Sequence, residues 1–337
     1  MNYERLFTDS QTAPNNNNIY GDQMKKFNPK TLLATAVLTL GLGVSGSALA
    51  GGGASEYAKT EYPIVLVHGF MGMDTIGGII DYWYGIPEAL EKDGADVHVV
   101  LVSAANTPES RGEQLIDQIE TILAETGAEK VNLIGHSHGS PTSRYAAAIM
   151  PDKVASVTGV AGVNNGVEFA DAIEAGEQDF IAGVLPYLAD AMSFISGNGN
   201  PNDMAASLAS MSTSGMNAFN ASYPAGTISP DSCGEGAYKV NGINYYSWSG
   251  RSDQLGHQTD LIDPTDLLFA YTGSLYERPN DGLVATCTSH LGKVIRDDYF
   301  LNHLDTVNGL VGMTNDLTTD PVGIFVSHAN RLKKAGL

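Results

Sequence analysis

The sequence has few basic residues and almost no cysteine. Its 337 residues contain 18 lysines and arginines against 38 aspartates and glutamates, which gives a formal net charge of −20. A surface this acidic argues against nucleic acid or anionic membranes as electrostatic partners, because both carry the same sign of charge. The two cysteines, Cys233 and Cys287, lie in no motif with a nearby base, which disfavours a catalytic thiol or a cysteine metal site.

The chain also lacks an apolar run that would span a bilayer convincingly, since residues 32–44 are short and interrupted by glycine. This run follows a basic segment beginning at Met24 and precedes Ala48-Leu-Ala50, a pattern typical of a cleaved signal peptide. We therefore predict export with cleavage after Ala50, the alternative being an uncleaved anchor. Signal peptides begin close to the first residue of a protein, so we expect Met24 to be the initiator.

Residues 51–337 contain no linker, repeat or low-complexity run, and we expect them to form a single domain after residues 1–50 are removed. An exported protein with two cysteines most often pairs them, because the compartments outside the cytoplasm are oxidising. A disulfide between Cys233 and Cys287 is the expectation.

Buried strands alternate with amphipathic helices along the mature chain. Nearly continuous apolar runs at residues 62–68, 97–102, 131–134 and 156–160 are typical of strands covered on both faces. Residues 111–126 place Leu115, Ile119, Ile122 and Leu123 along one helical stripe. This order predicts an α/β fold with a mostly parallel central sheet and helices on both faces.

The segment Gly135-His-Ser-His-Gly139 joins one of these strands to the next helix. It matches G-x-S-x-G in the strand-turn-helix context that makes Ser137 a nucleophile at the end of a sheet. Two backbone N–H groups are then needed to bind the developing oxyanion. His138, the residue after the serine, supplies one, and Phe70 in the His68-Gly-Phe70 loop after the first strand is our candidate for the other.

A serine nucleophile needs a histidine base and a carboxylate that orients the base, in the chain order Ser, Asp/Glu, His. Spacing favours His303 as the base, with His290 and His328 as alternatives. For the acid, spacing leaves Asp281, Asp260, Asp263 and Asp266 open.

Eight stretches together resemble one family, the secreted true lipases of the Pseudomonas/Burkholderia type, over essentially the whole mature chain. They are residues 63–69, 81–87, 111–115, 131–139, 233–242, 245–250, 280–284 and 302–305. The resemblance implies an α/β-hydrolase fold with a helical lid, and a secreted serine hydrolase that cleaves triacylglycerols at an oil–water interface. An esterase that prefers short soluble esters is the alternative. A non-catalytic protein of the same fold is disfavoured because candidates for all three catalytic residues are present.

Residue by residue, the resemblance implies a triad of Ser137, Asp281 and His303, with the oxyanion hole at Phe70 and His138, and it again implies the Cys233–Cys287 disulfide. It also implies one structural Ca²⁺, whose ligands are the carboxylates of Asp263 and Asp305 and the carbonyl oxygens of Gly309 and Met313. A dedicated foldase chaperone and a two-step route through the periplasm are further implications.

The sequence pattern also agrees with the lid that the resemblance implies. Residues 180–195 carry apolar side chains at helical spacing and precede a glycine-rich segment, so we expect a lid over the serine. The alternative is a helix packed permanently on the core. Ser140 stands where the family usually has glycine, and we expect this departure to have little effect.

Overall fold

The computed structural model describes residues 55–72, 75–76, 80–177, 200–229, 232–252, 265–314 and 319–337. Within these ranges the strands are β1 Ile64–Val67, β2 Thr75–Ile76, β3 Ile80–Asp81, β4 Val97–Val100, β5 Val131–His136, β6 Val154–Val160, β7 Lys239–Val240, β8 Ile243–Gly250 and β9 Lys293–Tyr299. The α-helices are α1 Ile86–Lys92, α2 Pro108–Thr126, α3 Gly139–Ile149, α4 Glu168–Glu174, α5 Met204–Met211, α6 Thr213–Ser222, α7 Thr265–Gly273, α8 Gly309–Gly312 and α9 Pro321–Lys334.

Seven of the described strands form one sheet in the order β4-β1-β5-β6-β8, with β7 and β9 both paired to β8. Every pairing in this sheet is parallel except the short β7–β8 ladder. The carboxyl ends of the parallel strands therefore meet at one edge, where loops from distant parts of the sequence come together. The predicted mostly parallel sheet is confirmed.

Successive residues of β1 point to opposite faces of the sheet, and each face has its own core. Val65 and Val67 pack with the apolar stripe of α2 and with α3, whereas Ile64 and Leu66 pack with α1 and with Phe325 of α9. All four β1 side chains have no exposed surface. Burying an aliphatic side chain of this size contributes about 1.5–3 kcal/mol, so the two covering layers hold the central strands in register.

Helix α2 shows why the helices begin and end where they do. The Thr107 hydroxyl caps the first turn by accepting the N–H of Ser110, Pro108 occupies the first helical position, and Gly127 ends the helix with a φ of 71°. Each of these residues suits its position: the hydroxyl satisfies a free N–H, proline needs none, and glycine adopts a left-handed φ without strain.

A third apolar cluster lies beside α3 and joins the segments around α4, α5 and α6. It includes Val163, Phe169, Met211, Met216 and Phe219. The predicted lid, residues 180–195, lies outside the described residues. None of the helices in the described part of the chain combines the length and the apolar character needed to cross a bilayer.

The two cysteines form the predicted disulfide. Cys233 and Cys287 are 54 positions apart in sequence, and the bond joins the segment before β7 to a 3₁₀ turn at Cys287–Ser289. The same region is also tied by His290, whose Nδ1 lies 2.9 Å from the carbonyl oxygen of Gly234. The disulfide therefore reinforces a contact that hydrogen bonding also makes.

Candidate active site

Ser137 lies in a strained turn between β5 and α3. Its φ is 54°, a value that residues other than glycine rarely adopt. The turn is held from both sides, because Ser137 donates its N–H to Val160 at 2.9 Å and accepts the N–H of Val163 at 3.2 Å. The elbow is therefore imposed by the neighbouring strand β6 and the segment after it.

The two flanking glycines are required by close backbone approaches. A Cβ atom at Gly135 would lie 2.2 Å from the carbonyl oxygen of Gly139, and a Cβ atom at Gly139 would lie 2.2 Å from that of Val67. Either side chain would push the serine turn away from the sheet. The motif is thus explained by sterics at both of its glycines.

Asp281 and His303 form a buried pair. His303 Nδ1 lies 2.8 Å from Asp281 Oδ2, and the N–H of His303 donates to the Asp281 carbonyl oxygen at 2.8 Å. The other carboxylate oxygen, Oδ1, accepts the N–H groups of Leu283 and Val284. Because this carboxylate is surrounded by donors, the Nδ1 atom of His303 carries the proton and Nε2 is left as an acceptor. His303 also lies against the elbow, since its ring centroid is 4.7 Å from that of His136, the residue before Ser137.

The alternative bases occupy other surroundings. His290 contacts Gly234 and Asp297, and His328 contacts Thr158 and Arg331. Neither of these histidines hydrogen-bonds Asp281 within the described residues. Of the competing acids, Asp260 and Asp263 lie outside the described residues, and Asp266 accepts an N–H from the side chain of Asn302.

The loop after β1 lies directly against Ser137. A Cβ atom at Gly69 would be 2.7 Å from the Ser137 Cβ atom, so only glycine allows this approach. On either side of Phe70 the backbone is fixed, because Gly69 donates its N–H to Tyr82 Oη at 2.9 Å and Met71 donates to Ala104 at 2.8 Å. The N–H groups of Phe70 and His138, by contrast, have no acceptor within the described residues. These are the two donors expected to form an oxyanion hole.

Comparison with known proteins identifies the family. The family model for the α/β-hydrolase fold matches residues 62–305. A triacylglycerol lipase of Vibrio cholerae is 51% identical over 288 residues, which cover 83% of this chain and 90% of that protein. The chain belongs to the α/β-hydrolase family, in the group of bacterial triacylglycerol lipases.

Further lipases align with most of this chain. A triacylglycerol lipase of Pseudomonas fragi is 42% identical, and the match covers 84% of this chain and 99% of that protein. Among solved structures, the Staphylococcus hyicus lipase superposes with a TM-score of 0.53 at 21% identity, covering 86% of this chain and 99% of that one. This structural likeness supports the hydrolase fold.

Arg111 is a buried residue of this lipase to which no sequence motif assigns a role. It has no exposed surface, and its guanidinium donates to the carbonyl oxygens of His68 at 2.5 Å and Gly69 at 3.1 Å. It therefore clamps the loop that carries the Phe70 N–H. A signal was available, because Arg111 extends the apolar stripe of α2 back by one turn from Leu115, and a cation at a core position needs buried acceptors.

Burial keeps His68, His136 and His138 neutral. It lowers the pKa of His68 to about 3, with the positive charge of Arg111 contributing in the same direction. Burial also lowers the pKa of His136 and of His138 well below the usual value for histidine. The pKa of Arg111 falls to about 9 for the same reason.

The residues predicted to bind calcium are only partly within the described ranges. Asp305 is 2% exposed and accepts the N–H of Asn302 at 3.2 Å, whereas Asp263 lies outside the described residues. Gly309 and Met313 follow Asp305 in and just after α8. Carboxylate and carbonyl oxygens are the donors that Ca²⁺ prefers, so the residue types fit this ion. No cluster of three or more His, Cys, Asp or Glu side chains suited to a metal occurs in the described ranges.

Ser140, where we expected little effect, makes a specific contact. It is fully buried, and its hydroxyl donates to Asn164 Oδ1 at 2.9 Å. Asn164 in turn donates to the carbonyl oxygen of Ser289, the last residue of the disulfide-bearing turn. The hydroxyl thus joins the helix after the serine to the region of the disulfide.

Proposed function

We propose that the chain is a triacylglycerol lipase that cleaves carboxylic esters through an acyl-enzyme. The observation that carries the substrate class is its 51% identity, over most of both chains, to a triacylglycerol lipase. The strained serine turn and the buried Asp281–His303 pair support the reaction class. In this proposal Ser137, Asp281 and His303 form the catalytic triad, and the N–H groups of Phe70 and His138 form the oxyanion hole.

The reaction begins when Ser137 Oγ attacks the ester carbonyl carbon while His303 Nε2 takes the hydroxyl proton. Negative charge develops on the carbonyl oxygen, where the N–H groups of Phe70 and His138 stabilise it. His303 then gives its proton to the leaving alcohol, the C–O bond breaks, and the acyl group remains on the serine. Asp281 keeps the Nδ1 proton in place and stabilises the imidazolium that forms.

The second half repeats these steps with water. His303 removes a proton from water, the hydroxide attacks the acyl carbon, and the same two N–H groups bind the second oxyanion. Collapse of this intermediate releases the fatty acid and returns the proton to Ser137. Asp281 is held by two backbone N–H groups, so its carboxylate does not need to move during the cycle.

Titration of fatty acid released from emulsified triacylglycerol, with a chain-length series of p-nitrophenyl esters beside it, tests the proposal. We expect Ser137→Ala to lower turnover by at least about 10⁴-fold while its melting temperature stays close to that of the wild type. Ser143→Ala is the matched control, because Ser143 is a buried serine on α3 whose hydroxyl, among the described residues, bonds only the carbonyl oxygen of Gly139. Hydrolysis that persists in Ser137→Ala would refute the assignment. Turnover of short soluble esters alone would instead mark an esterase.

A structural Ca²⁺ at Asp263, Asp305, Gly309 and Met313 is part of this proposal. Its support is the buried Asp305 carboxylate two residues beyond His303, where a bound cation would stiffen the loop that carries the base. Chelation should lower the melting temperature of the wild type, and Ca²⁺ should restore it where Mg²⁺ does not. In Asp305→Asn the chelator should have little effect. A wild-type melting temperature insensitive to chelation would contradict the site.

We also propose that the protein is secreted through the periplasm and matures with a foldase. The support is the signal-like segment up to Ala50, together with the resemblance to a foldase-dependent family. N-terminal sequencing of the exported protein should begin at Gly51. The chain unfolded in urea should recover little activity on dilution alone, and spontaneous recovery in high yield would remove the need for a foldase.

A further inference from the structure

A line of hydrogen bonds crosses the site behind the serine. The N–H of Gly69 donates to Tyr82 Oη at 2.9 Å, Tyr82 Oη lies 2.5 Å from His136 Nδ1, and His136 Nε2 lies 3.1 Å from the carbonyl oxygen of His303. The Tyr82 and His136 side chains are both buried. These residues come from the loop after β1, from the segment after β3, from β5 and from the loop after β9, so the line joins four separate parts of the fold.

The protons in this line have only one consistent arrangement. A carbonyl oxygen can only accept a hydrogen bond. His136 Nε2 therefore carries the proton and donates a hydrogen bond to the backbone carbonyl oxygen of His303. His136 is buried and neutral, which leaves Nδ1 as an acceptor for the Tyr82 hydroxyl proton. The Tyr82 oxygen is then free to accept the N–H of Gly69. In every bond of the line the donor therefore lies on the Gly69 side and the acceptor on the His303 side.

The two ends of this line lie next to two catalytic groups of the proposed mechanism, an oxyanion donor and the base. Gly69 precedes Phe70, whose N–H is an oxyanion donor, and His303 is the base. Between them stands His136, which is covalently joined to Ser137. His303 has a second anchor, since Thr306 Oγ1 donates to the same carbonyl oxygen at 2.7 Å. That bond is local to the loop, so it cannot set the distance from the loop to the oxyanion hole.

Ring packing makes the line rigid. The ring of Tyr82 lies edge-to-face on that of Trp83 with centroids 5.2 Å apart, and Trp83 in turn packs edge-to-face on His136 at 6.4 Å. Aromatic contacts of this kind restrict ring rotation and favour a single orientation of the hydroxyl and the imidazole. The polar atoms of the line are consequently held at fixed positions.

We propose that Tyr82 and His136 are positioning residues that hold the oxyanion-hole loop and the His303 loop at the separation needed in the transition state. This inference rests on the proposed function. Neither side chain would touch the reacting atoms. Displacing a catalytic group by about 1 Å can cost about 100-fold in rate, so loss of the line should lower kcat much more than it changes KM.

The test compares Tyr82→Phe with Tyr246→Phe. Tyr246 is a matched control, because it is also a buried tyrosine whose hydroxyl bonds another side chain, Tyr238 Oη at 2.8 Å, and it lies on β8, outside the line. Active serines are first counted with a p-nitrophenyl phosphonate, which labels the nucleophile once. The kcat and KM for p-nitrophenyl butyrate are then expressed per labelled serine, so that unfolded protein does not enter the rate.

We expect Tyr82→Phe to lower kcat per labelled serine by about 10-fold to 100-fold, with KM within about twofold of wild type. Tyr246→Phe should keep both constants within about twofold. His136→Phe should resemble Tyr82→Phe, and the double variant should lose little more, because one interrupted line cannot be interrupted again.

A Tyr82→Phe enzyme with the kcat per labelled serine of the Tyr246→Phe control would overturn the inference, and so would multiplicative losses in the double variant. These outcomes differ from failure of the proposed function, in which wild-type protein would not be labelled at Ser137. If His136→Phe does not fold, Tyr82→Phe still decides, because its rate is counted per labelled serine.

Discussion

Lowering the pH from 8 to 5.5 should weaken the folded state strongly, because several histidines are buried in neutral form. Burial lowers the pKa of His68 to about 3 and that of His136, His138 and His328 well below the usual value for histidine. In the unfolded chain each of these side chains takes up a proton near pH 6.5. In the folded state these side chains stay unprotonated at the same pH, so acid favours the unfolded state.

The size of the effect follows from the lost protons. For a histidine that titrates at about 6.5 when unfolded and does not titrate when folded, the change from pH 8 to 5.5 costs about 1.4 kcal/mol. Four such groups cost about 5–6 kcal/mol, which is a large share of the 5–15 kcal/mol by which domains of this kind are usually stable. The stability is fully present above pH 7.5 and is lost as the pH falls below the unfolded pKa. In the unfolded chain carboxylates titrate near pH 4, which is below this window.

Urea unfolding at the two pH values, followed by tryptophan fluorescence at constant ionic strength, measures this difference. The histidine to change is His328 of α9, which is not part of the proposed site. Its Nδ1 accepts from Arg331 at 3.0 Å, so its Nε2 donates to Thr158 Oγ1 at 2.8 Å. His328→Phe should reduce the pH-dependent loss by about 1.4 kcal/mol. Thr158→Val removes the same hydrogen bond but no titrating group, so it should lower stability equally at both pH values. A wild-type difference below about 1 kcal/mol, or an unchanged difference in His328→Phe, would refute the reasoning.

Three further changes have defined outcomes. Gly135→Ala should prevent folding or cost more than about 3 kcal/mol in urea titrations, because its Cβ atom would meet the Gly139 carbonyl oxygen at 2.2 Å, and a stable variant would contradict the steric account. Replacing Cys233 and Cys287 together by serine should lower the free energy of unfolding by about 2–4 kcal/mol with kcat per labelled serine unchanged. A fall in that rate would mean that the disulfide also shapes the site. Arg111→Lys should lower kcat/KM on a soluble ester about 10-fold, because an ammonium group cannot span two carbonyl oxygens as a guanidinium does, and wild-type kinetics would exclude the clamp.

Much of the fold was predictable from local pattern. The central strands β1, β5 and β6 are short apolar runs covered on both faces, and that burial leaves a continuous hydrophobic signal in the sequence. Strand β9 carries no such signal, because it pairs with β8 alone among the described strands and most of its side chains are partly exposed. Its sequence Lys-Val-Ile-Arg-Asp-Asp-Tyr therefore gave no prediction of a strand.

The site was predictable only where a short motif encodes its geometry. Ser137 and the His68-Gly69 loop have local sequence signatures, because a side chain larger than glycine would clash with nearby atoms at their glycine positions. Spacing could not choose among the candidate acids, because the choice depends on which loop meets His303. The structure joins that histidine to Asp281 through both backbone and side chain.

The partners of the supporting side chains were beyond sequence reasoning for a different reason. Arg111 bonds the carbonyl oxygen of Gly69 across 42 positions, and Tyr82 bonds His136 across 54. Such contacts depend on how the loops at the end of the sheet pack together, and no periodicity records them. A buried arginine and a buried tyrosine must have hydrogen-bond partners, but the sequence does not show which residues these are.

The Cys233–Cys287 bond also determines how the chain would respond to a protease. The bond closes a covalent ring that contains β8 and Asp281, whereas Ser137 and His303 lie outside it. A single cut anywhere inside the ring leaves both pieces joined through sulfur, so the carboxylate cannot depart with a released fragment. A nicked enzyme would run as one band on a gel until a reductant separates it into two. In a protease-rich medium, the ring keeps the acid attached to the rest of the molecule after a first cleavage.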